Sequence, residues 1–191
     1  RLLEVVGGVA GVAGQGGVVQ AARLAGQLAA LRARLAASAD DGLDGPGNEA
    51  PARLEALLGE LKRRRLHGFI VPRADEHQGE YVPRRAERLA WLTGFTGSAG
   101  TAVVLRDRAA VFVDGRYTLQ ARAEVDAALY EFPQPADGPP GEWIAAHLPA
   151  KARLAYDPWL HTPDQVAHLR AACEKAGARL VAAADNPVDA V

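Results

Sequence analysis

Residues 101–113 read Thr-Ala-Val-Val-Leu-Arg-Asp-Arg-Ala-Ala-Val-Phe-Val, two runs rich in β-branched residues separated by Arg106-Asp107-Arg108. Apolar runs around a short polar break predict an antiparallel hairpin. On either side of it, helical and strand periodicities alternate one element at a time. Upstream, Pro51 to Leu66 carries apolar residues at 54, 57, 58 and 61, the spacing of a helix, with Gly68 as its stop. Phe69-Ile70-Val71, cut by Pro72, suits a buried strand. Arg84 to Leu92 is helical, with Leu89 and Leu92 on one face. Downstream, Asp114 can cap a helix over Tyr117 to Val125. A strand at Leu129 to Phe132, a short helix at Glu142 to Leu148 and a strand at Arg153 to Tyr156 follow. Thr162-Pro163 opens a helix that ends at Gly177, and Arg179 to Ala183 is the last strand. Alternation with one internal hairpin predicts an α/β fold: a mixed, roughly six-stranded sheet flanked by helices.

The chain has 191 residues, 49% hydrophobic and 24% charged, with a formal net charge of -1, the balance of a folded globular domain. A polyanion partner such as nucleic acid is not favoured. The one basic run, Lys62 to Arg65, reads as the solvated end of a helix. Cys173 stands alone, which excludes an intrachain disulfide and fits a reducing compartment such as the cytoplasm. On a helix, a small apolar role suits it better than that of a nucleophile.

Residues 1–50 differ from the rest. Gly7 to Val19 is apolar but too glycine-rich and too short to span a bilayer, so no membrane association is expected. It also lacks the cleavage site of a secretory leader. Leucines at 24, 28, 31 and 35 form a helical stripe, and Ser38 to Pro51 has the Asp, Gly and Pro of a linker. Residues 1–50 are therefore expected to be an extension with one helix and a flexible connection, and 51–191 the folded domain. An arginine-rich amphipathic start suits a targeting segment or the product of upstream translation. The chain opens on Arg1 and contains no Met, so a natural start elsewhere is expected.

Three segments are dense enough in special residues to test for chemistry. Gly94-Phe95-Thr96-Gly97-Ser98-Ala99-Gly100-Thr101 spaces three glycines three apart, which permits unusual backbone angles and close approach of another chain or ligand. No Gly-Lys-Ser/Thr follows, and it leaves a helix to enter a strand, so a structural or contact loop is favoured over a phosphate- or nucleotide-binding one. Ser98 is not a nucleophile elbow, because Thr96 holds the place of the first glycine. In Asp114-Gly115-Arg116-Tyr117, Arg116 falls in the first turn of a helix, against the helix dipole. That misplacement hints at a carboxylate partner; a solvated arginine without a role is equally open from the residues alone. Asp75-Glu76-His77-Gln78-Gly79-Glu80-Tyr81 mixes potential metal ligands, but in a loop and without ligand spacing, so a surface loop is the better default. None of the three reaches the level of a catalytic site.

Taken together, the segments Asp75–Tyr81, Arg84–Val104 and Ala109–Ala121, in that order and spacing, resemble the first domain of aminopeptidase P, a Xaa-Pro aminopeptidase. The resemblance continues through Tyr156-Asp157-Pro158 to Asn186-Pro187-Val188-Asp189-Ala190-Val191, which is similar to the junction with the family's next domain. It implies a creatinase-type N-terminal fold and a non-catalytic role in shaping substrate access and dimer contacts. Catalysis in that family belongs to a later pita-bread domain with two divalent metals, typically manganese, acting on proline-containing peptides. None of those ligands lies here, so no metal or other cofactor is expected in this chain. Carried over position by position, the resemblance gives Arg116 a substrate-facing role, and His77, Glu80 and Tyr81 contact roles. Thr96 is a departure, since many relatives have Asp between the glycines. A stand-alone binding or dimerisation module that lost its peptidase domain is the alternative.

Overall fold

The computed structural model describes residues 49–134, 136 and 138–191. The helix expected from the leucines at 24, 28, 31 and 35 and most of the expected linker lie outside them. The elements are α1 (Ala50–Arg63), β1 (Gly68–Pro72), α2 (Arg88–Thr93), β2 (Gly100–Leu105), β3 (Ala109–Val113), α3 (Thr118–Glu124), α4 (Pro140–His147), β4 (Arg153–Tyr156), α5 (Pro163–Lys175) and β5 (Arg179–Ala182). The sheet order is β3-β2-β1-β4-β5. β2 and β3 form the expected hairpin, β2 runs antiparallel to β1, and β4 and β5 continue parallel to β1.

Period-2 alternation divides the core in two. Phe69, Val71, Val104 and Val111 face one side with Leu57 and Leu61 of α1 and Leu89 and Leu92 of α2. Ile70, Val103, Leu105 and Phe112 face the other, under Ile144 of α4 and Cys173 of α5. The sheet is mixed and flanked by helices as expected, but among the described residues it has five strands. Leu129–Phe132 makes a single bridge, Glu131 to Ala110, because a turn holds the chain just before it. The Asp126 carbonyl accepts from the N–H groups of Leu129 and Tyr130, its carboxylate accepts from that of Ala128, and Pro133 has no N–H to extend the ladder.

Two boundaries also shift. α1 begins at Ala50, one residue before the expected start at Pro51, and ends at Arg63 rather than Leu66. Arg65 takes the left-handed conformation (φ 58°), and the Leu66 N–H closes the end on the Leu61 carbonyl at 2.8 Å. Gly68 is not that stop. It sits in β1, where a Cβ would lie 2.6 Å from the Val104 carbonyl oxygen and from Leu105 Cδ2. The helix expected over Arg84–Leu92 is divided: Arg84–Ala86 form a 3₁₀ turn before α2.

Overpacking a filled site costs about 1–3 kcal/mol, so Gly68→Ala should lower stability by about that much in urea unfolding. Gly59→Ala, in α1 with nothing within 4 Å of the added Cβ, should raise it by about 0.5–1 kcal/mol. Cys173 is fully buried, and burial pushes its thiol up to about 11. It should resist iodoacetamide at mildly alkaline pH in the folded chain and react fully in denaturant, as read by mass spectrometry.

Candidate functional site

The directions of the strands bring the unusual segments to one rim. β1, β3, β4 and β5 all end there and β2 begins there, with Pro72 opposite Thr101 and Gly100 opposite Val113. The rim therefore carries the Asp75–Tyr81 loop after β1, the glycine loop before β2, the Asp114–Tyr117 turn after β3 and Asp157–His161 after β4.

The glycine loop wraps its own phenylalanine. Gly94 supplies the left-handed end of α2 (φ 81°). A Cβ at Gly97 or Gly100 would stand 2.2 Å or 2.9 Å from the Phe95 ring, which is buried. The close approach is thus to Phe95 and not to a ligand. Thr96 is anchored on Glu124 of α3: its N–H and its hydroxyl each donate to that carboxylate at 2.8 Å, and Gln120 Nε2 donates to both residues. Burial works against the charged form of Glu124. The Thr96 N–H, the Gln120 amide and the Thr96 hydroxyl outweigh it and hold the carboxyl below its ordinary range.

The Asp114–Tyr117 turn answers the question raised by Arg116. The Asp114 carboxylate accepts from the Arg116 N–H at 2.9 Å as a cap and from Arg116 Nε at 3.0 Å. The carboxylate partner is therefore two residues away in the same turn. The guanidinium also lies over the Tyr117 ring, 5.4 Å from its centroid, and its side chain is 72% exposed. Tyr117 is itself held: its hydroxyl is 2.5 Å from Ser98 Oγ and its ring packs edge-on to Phe95 at 6.0 Å. The rim thus presents one oriented, solvent-facing cation. Ser98 and Tyr117 as a supporting pair were missed in the sequence, where 19 residues separate them.

The Asp75–Tyr81 loop is organised from within. Asp75 is buried, and its Oδ1 accepts from the N–H groups of His77 and Gly79, both at 3.1 Å. Glu76 pairs with Arg85 at 2.8 Å, and that guanidinium holds its carboxyl at about 2. The side chains of His77, Glu80 and Tyr81 point outward, Tyr81 being 86% exposed. The Arg73 N–H donates to the Gly100 carbonyl at 2.9 Å, joining this loop to the glycine loop. Arg116 stands two strands away in the sheet order, and among the described residues no hydrogen bond or ion pair links it to His77, Glu80 or Tyr81.

The donors present do not fit a dinuclear metal centre. Asp75 spends an oxygen on backbone N–H groups, Glu76 is paired with Arg85, and among the described residues no three His, Cys, Asp or Glu side chains are grouped to hold an ion. Nor is any helix there long and apolar enough to cross a membrane.

The C-terminal turn, Pro187–Ala190, is pinned beside the same rim. Arg88 donates from Nε and Nη2 to Asp189 at 2.6 and 2.8 Å, and Asn186 Nδ2 donates to the buried Asp157 at 2.9 Å. With that turn in place, residues 53–191 match the creatinase/prolidase N-terminal domain, which covers the described fold from within α1 onward. The chain belongs to the creatinase/prolidase N-terminal domain family. Within this family it is 37% identical over 138 residues to human Xaa-Pro aminopeptidase 2, covering 72% of this chain and 20% of that protein. It is 38% identical over 118 residues to aminopeptidase P2 of Arabidopsis thaliana, covering 61% of this chain and 17% of that one. The chain thus spans about a fifth of the length of the curated relatives it matches. The crystal structure of an X-prolyl aminopeptidase from Caenorhabditis elegans, described as a cytosolic enzyme with a di-nuclear active site, aligns with TM-score 0.68 and 26% identity over 74% of this chain and 25% of that one. The N-terminal domain of a cytoplasmic peptidase from Mycobacterium tuberculosis shares the fold, at TM-score 0.54 and 23% identity over 73% of this chain and 97% of that one. This chain is accordingly an N-terminal domain of the Xaa-Pro aminopeptidase type.

An acidic residue at the Thr96 position would face Glu124 directly. Thr96→Asp should lower the thermal midpoint at neutral pH, because two adjacent carboxylates raise each other's folded-state pKa. The deficit should shrink as acidification protonates one of them, a trend read by calorimetry across pH.

Proposed function

We propose that this domain serves a longer proline-specific metallopeptidase as its non-catalytic part, lining the approach of proline-containing peptides to a manganese-dependent catalytic domain and contributing to a homodimer in the cytoplasm. The observation that carries the reading is the convergence on one rim of the family's signature segments, the oriented Arg116 and the pinned C-terminal turn. Arg116 has the chemistry to meet a peptide carboxylate: Asp114 engages Nε closely and Nη2 only at 3.4 Å, which leaves guanidinium donors facing solvent. Large apolar side chains on the same side support a contact role. Tyr81 follows β1, Trp159 follows β4 at 74% exposure, and Leu119 lies in the first turn of α3 at 82%. His77, Glu80 and Tyr81 serve as contacts to the peptide or to a neighbouring domain.

The test compares hydrolysis of an Arg-Pro-Pro peptide, with added manganese, by this chain and by a longer product of the same gene. The chain alone should be inactive and the longer protein active; turnover by the chain alone would overturn the assignment. In the longer protein, Arg116→Ala should raise KM severalfold with a smaller change in kcat, and Arg116→Lys should recover part of the loss. Unchanged kinetics would remove Arg116 from the substrate path.

A further inference from the structure

One cleft among the described residues reaches the end of the glycine segment at Thr101. It lies between α4 and α5 over the second face of the sheet and has a volume of about 590 Å³. Small-molecule sites fall in the range of roughly 300–1,000 Å³ and combine mostly apolar walls with a few polar groups. Its apolar lining includes Ile70, Leu169, Ala172, Pro72 and Pro140. The two helices cross closely at Gly141, where an added Cβ would stand 3.5 Å from Ala172 Cβ, and the cleft opens beside that crossing.

The charges around the crossing are unusual. Glu142 follows Gly141 on α4, and Lys175 lies three residues after Ala172 on α5, so both line the cleft at the crossing. Three residues along a helix are neighbours on one face. Yet their side chains form no ion pair, and neither side chain has another hydrogen-bonding or ionic partner among the described residues. At the other end of the α5 stripe, His161 donates from Nδ1 to the Asp157 carbonyl at 2.8 Å, leaving Nε2 as an acceptor in the neutral ring. Burial keeps that ring neutral by lowering its pKa. His168 of α5 also lines the cleft. An unpaired acid and an unpaired base at the same end disfavour simple anions and simple cations alike. A fatty acid would set its carboxylate against Glu142, and an alkylamine would set its charge against Lys175. A zwitterion with an apolar body satisfies both.

We propose that the cleft between α4 and α5 binds an apolar α-amino acid or short apolar peptide as its zwitterion, with the ammonium on Glu142, the carboxylate on Lys175 and the side chain over Ile70 and Leu169. The cleft reaches the rim through Pro72, Thr101 and His161, but its charged residues lie on α4 and α5, and the proposal does not depend on the peptidase reading.

The test is an NMR titration of the 191-residue chain with L-leucine and leucyl-leucine, followed through the backbone amides of α4 and α5. N-acetyl-leucine and leucinamide, each lacking one charge, are the controls. Saturable shifts confined to the two helices are expected, with dissociation constants in the millimolar range or tighter and roughly tenfold weaker binding of each control. Tighter binding of leucyl-leucine than of leucine would identify the peptide as the better occupant, and the reverse the amino acid. Glu142→Gln should abolish the discrimination against N-acetyl-leucine, and Lys175→Gln that against leucinamide. Both side chains are exposed, so these variants should fold. Absence of saturation with either zwitterion up to about 10 mM, or equal binding of the charge-deleted controls, would overturn the proposal.

Discussion

Everything in this domain depends on β1 being paired along both edges and covered on both faces. Its residues 68–71 are buried, with β2 on one side and β4 on the other. A strand so enclosed can stay there only if its side chains are apolar in both directions and its backbone groups are spent in ladders, which Phe69-Ile70-Val71 and the two registers provide. Gly68 is the tightest point of this arrangement, because the Val104 carbonyl and the Leu105 side chain occupy the space a Cβ would take. Helices α1 and α2 on one face and α4 and α5 on the other are the consequence of a central strand with no polar side.

The same strand sets the rim. Because β3, β4 and β5 share its direction while β2 opposes it, four chain exits and one entrance lie side by side. Loops distant in sequence become neighbours there and stabilise one another through ordinary hydrogen bonds. Thr96 hangs from Glu124, Ser98 meets Tyr117, and Arg73 reaches the glycine loop through its backbone. The result is a rigid edge that holds Arg116 in a fixed direction while leaving it wet. A side chain prepared in this way loses less conformational entropy on meeting an anion than a free arginine would.

The buried carboxylates and amide have partners at hand, whereas among the described residues Arg88 Nη1 and Arg108 Nε are buried without a hydrogen-bond partner. Asp75, Asp157 and Asn186 are buried among charged or polar groups and accept or donate hydrogen bonds that close turns. Glu60, at the end of α1, is held at about 2 by hydrogen bonds from Arg63 and Arg64. It therefore stays ionised in the folded chain well below its ordinary value of 4.5, and its stabilising contribution fades only as pH falls from there toward 2. The basic run Lys62–Arg65 is thus partly employed within the domain: Arg64 also pairs with Asp185 at 2.8 Å.

Local patterns in the sequence sufficed for most of the architecture. Five helices, the hairpin and the central strands each have a period or a cap that a short window contains, and the Thr162–Gln165 capping box is of that kind. The order and spacing of three motifs were enough to identify the family. What short windows could not contain was decided by contacts between distant residues. Leu129–Phe132 has strand composition, but the Asp126 turn and Pro133 leave it one residue in which to pair. Gly68 looks like a helix stop until β2 lies against it, and the three spaced glycines look like a ligand cradle until Phe95 fills the space between them. Arg116 has a carboxylate in its own turn, but its orientation comes from Tyr117 and, through it, from Ser98 on another loop. The sequence by itself determined which segments form helices and strands, because those are set by neighbours within a few residues. Only the tertiary structure decided where the rim lies and what each loop does there, because strand order and loop-to-loop hydrogen bonds exist only after the chain has closed on itself.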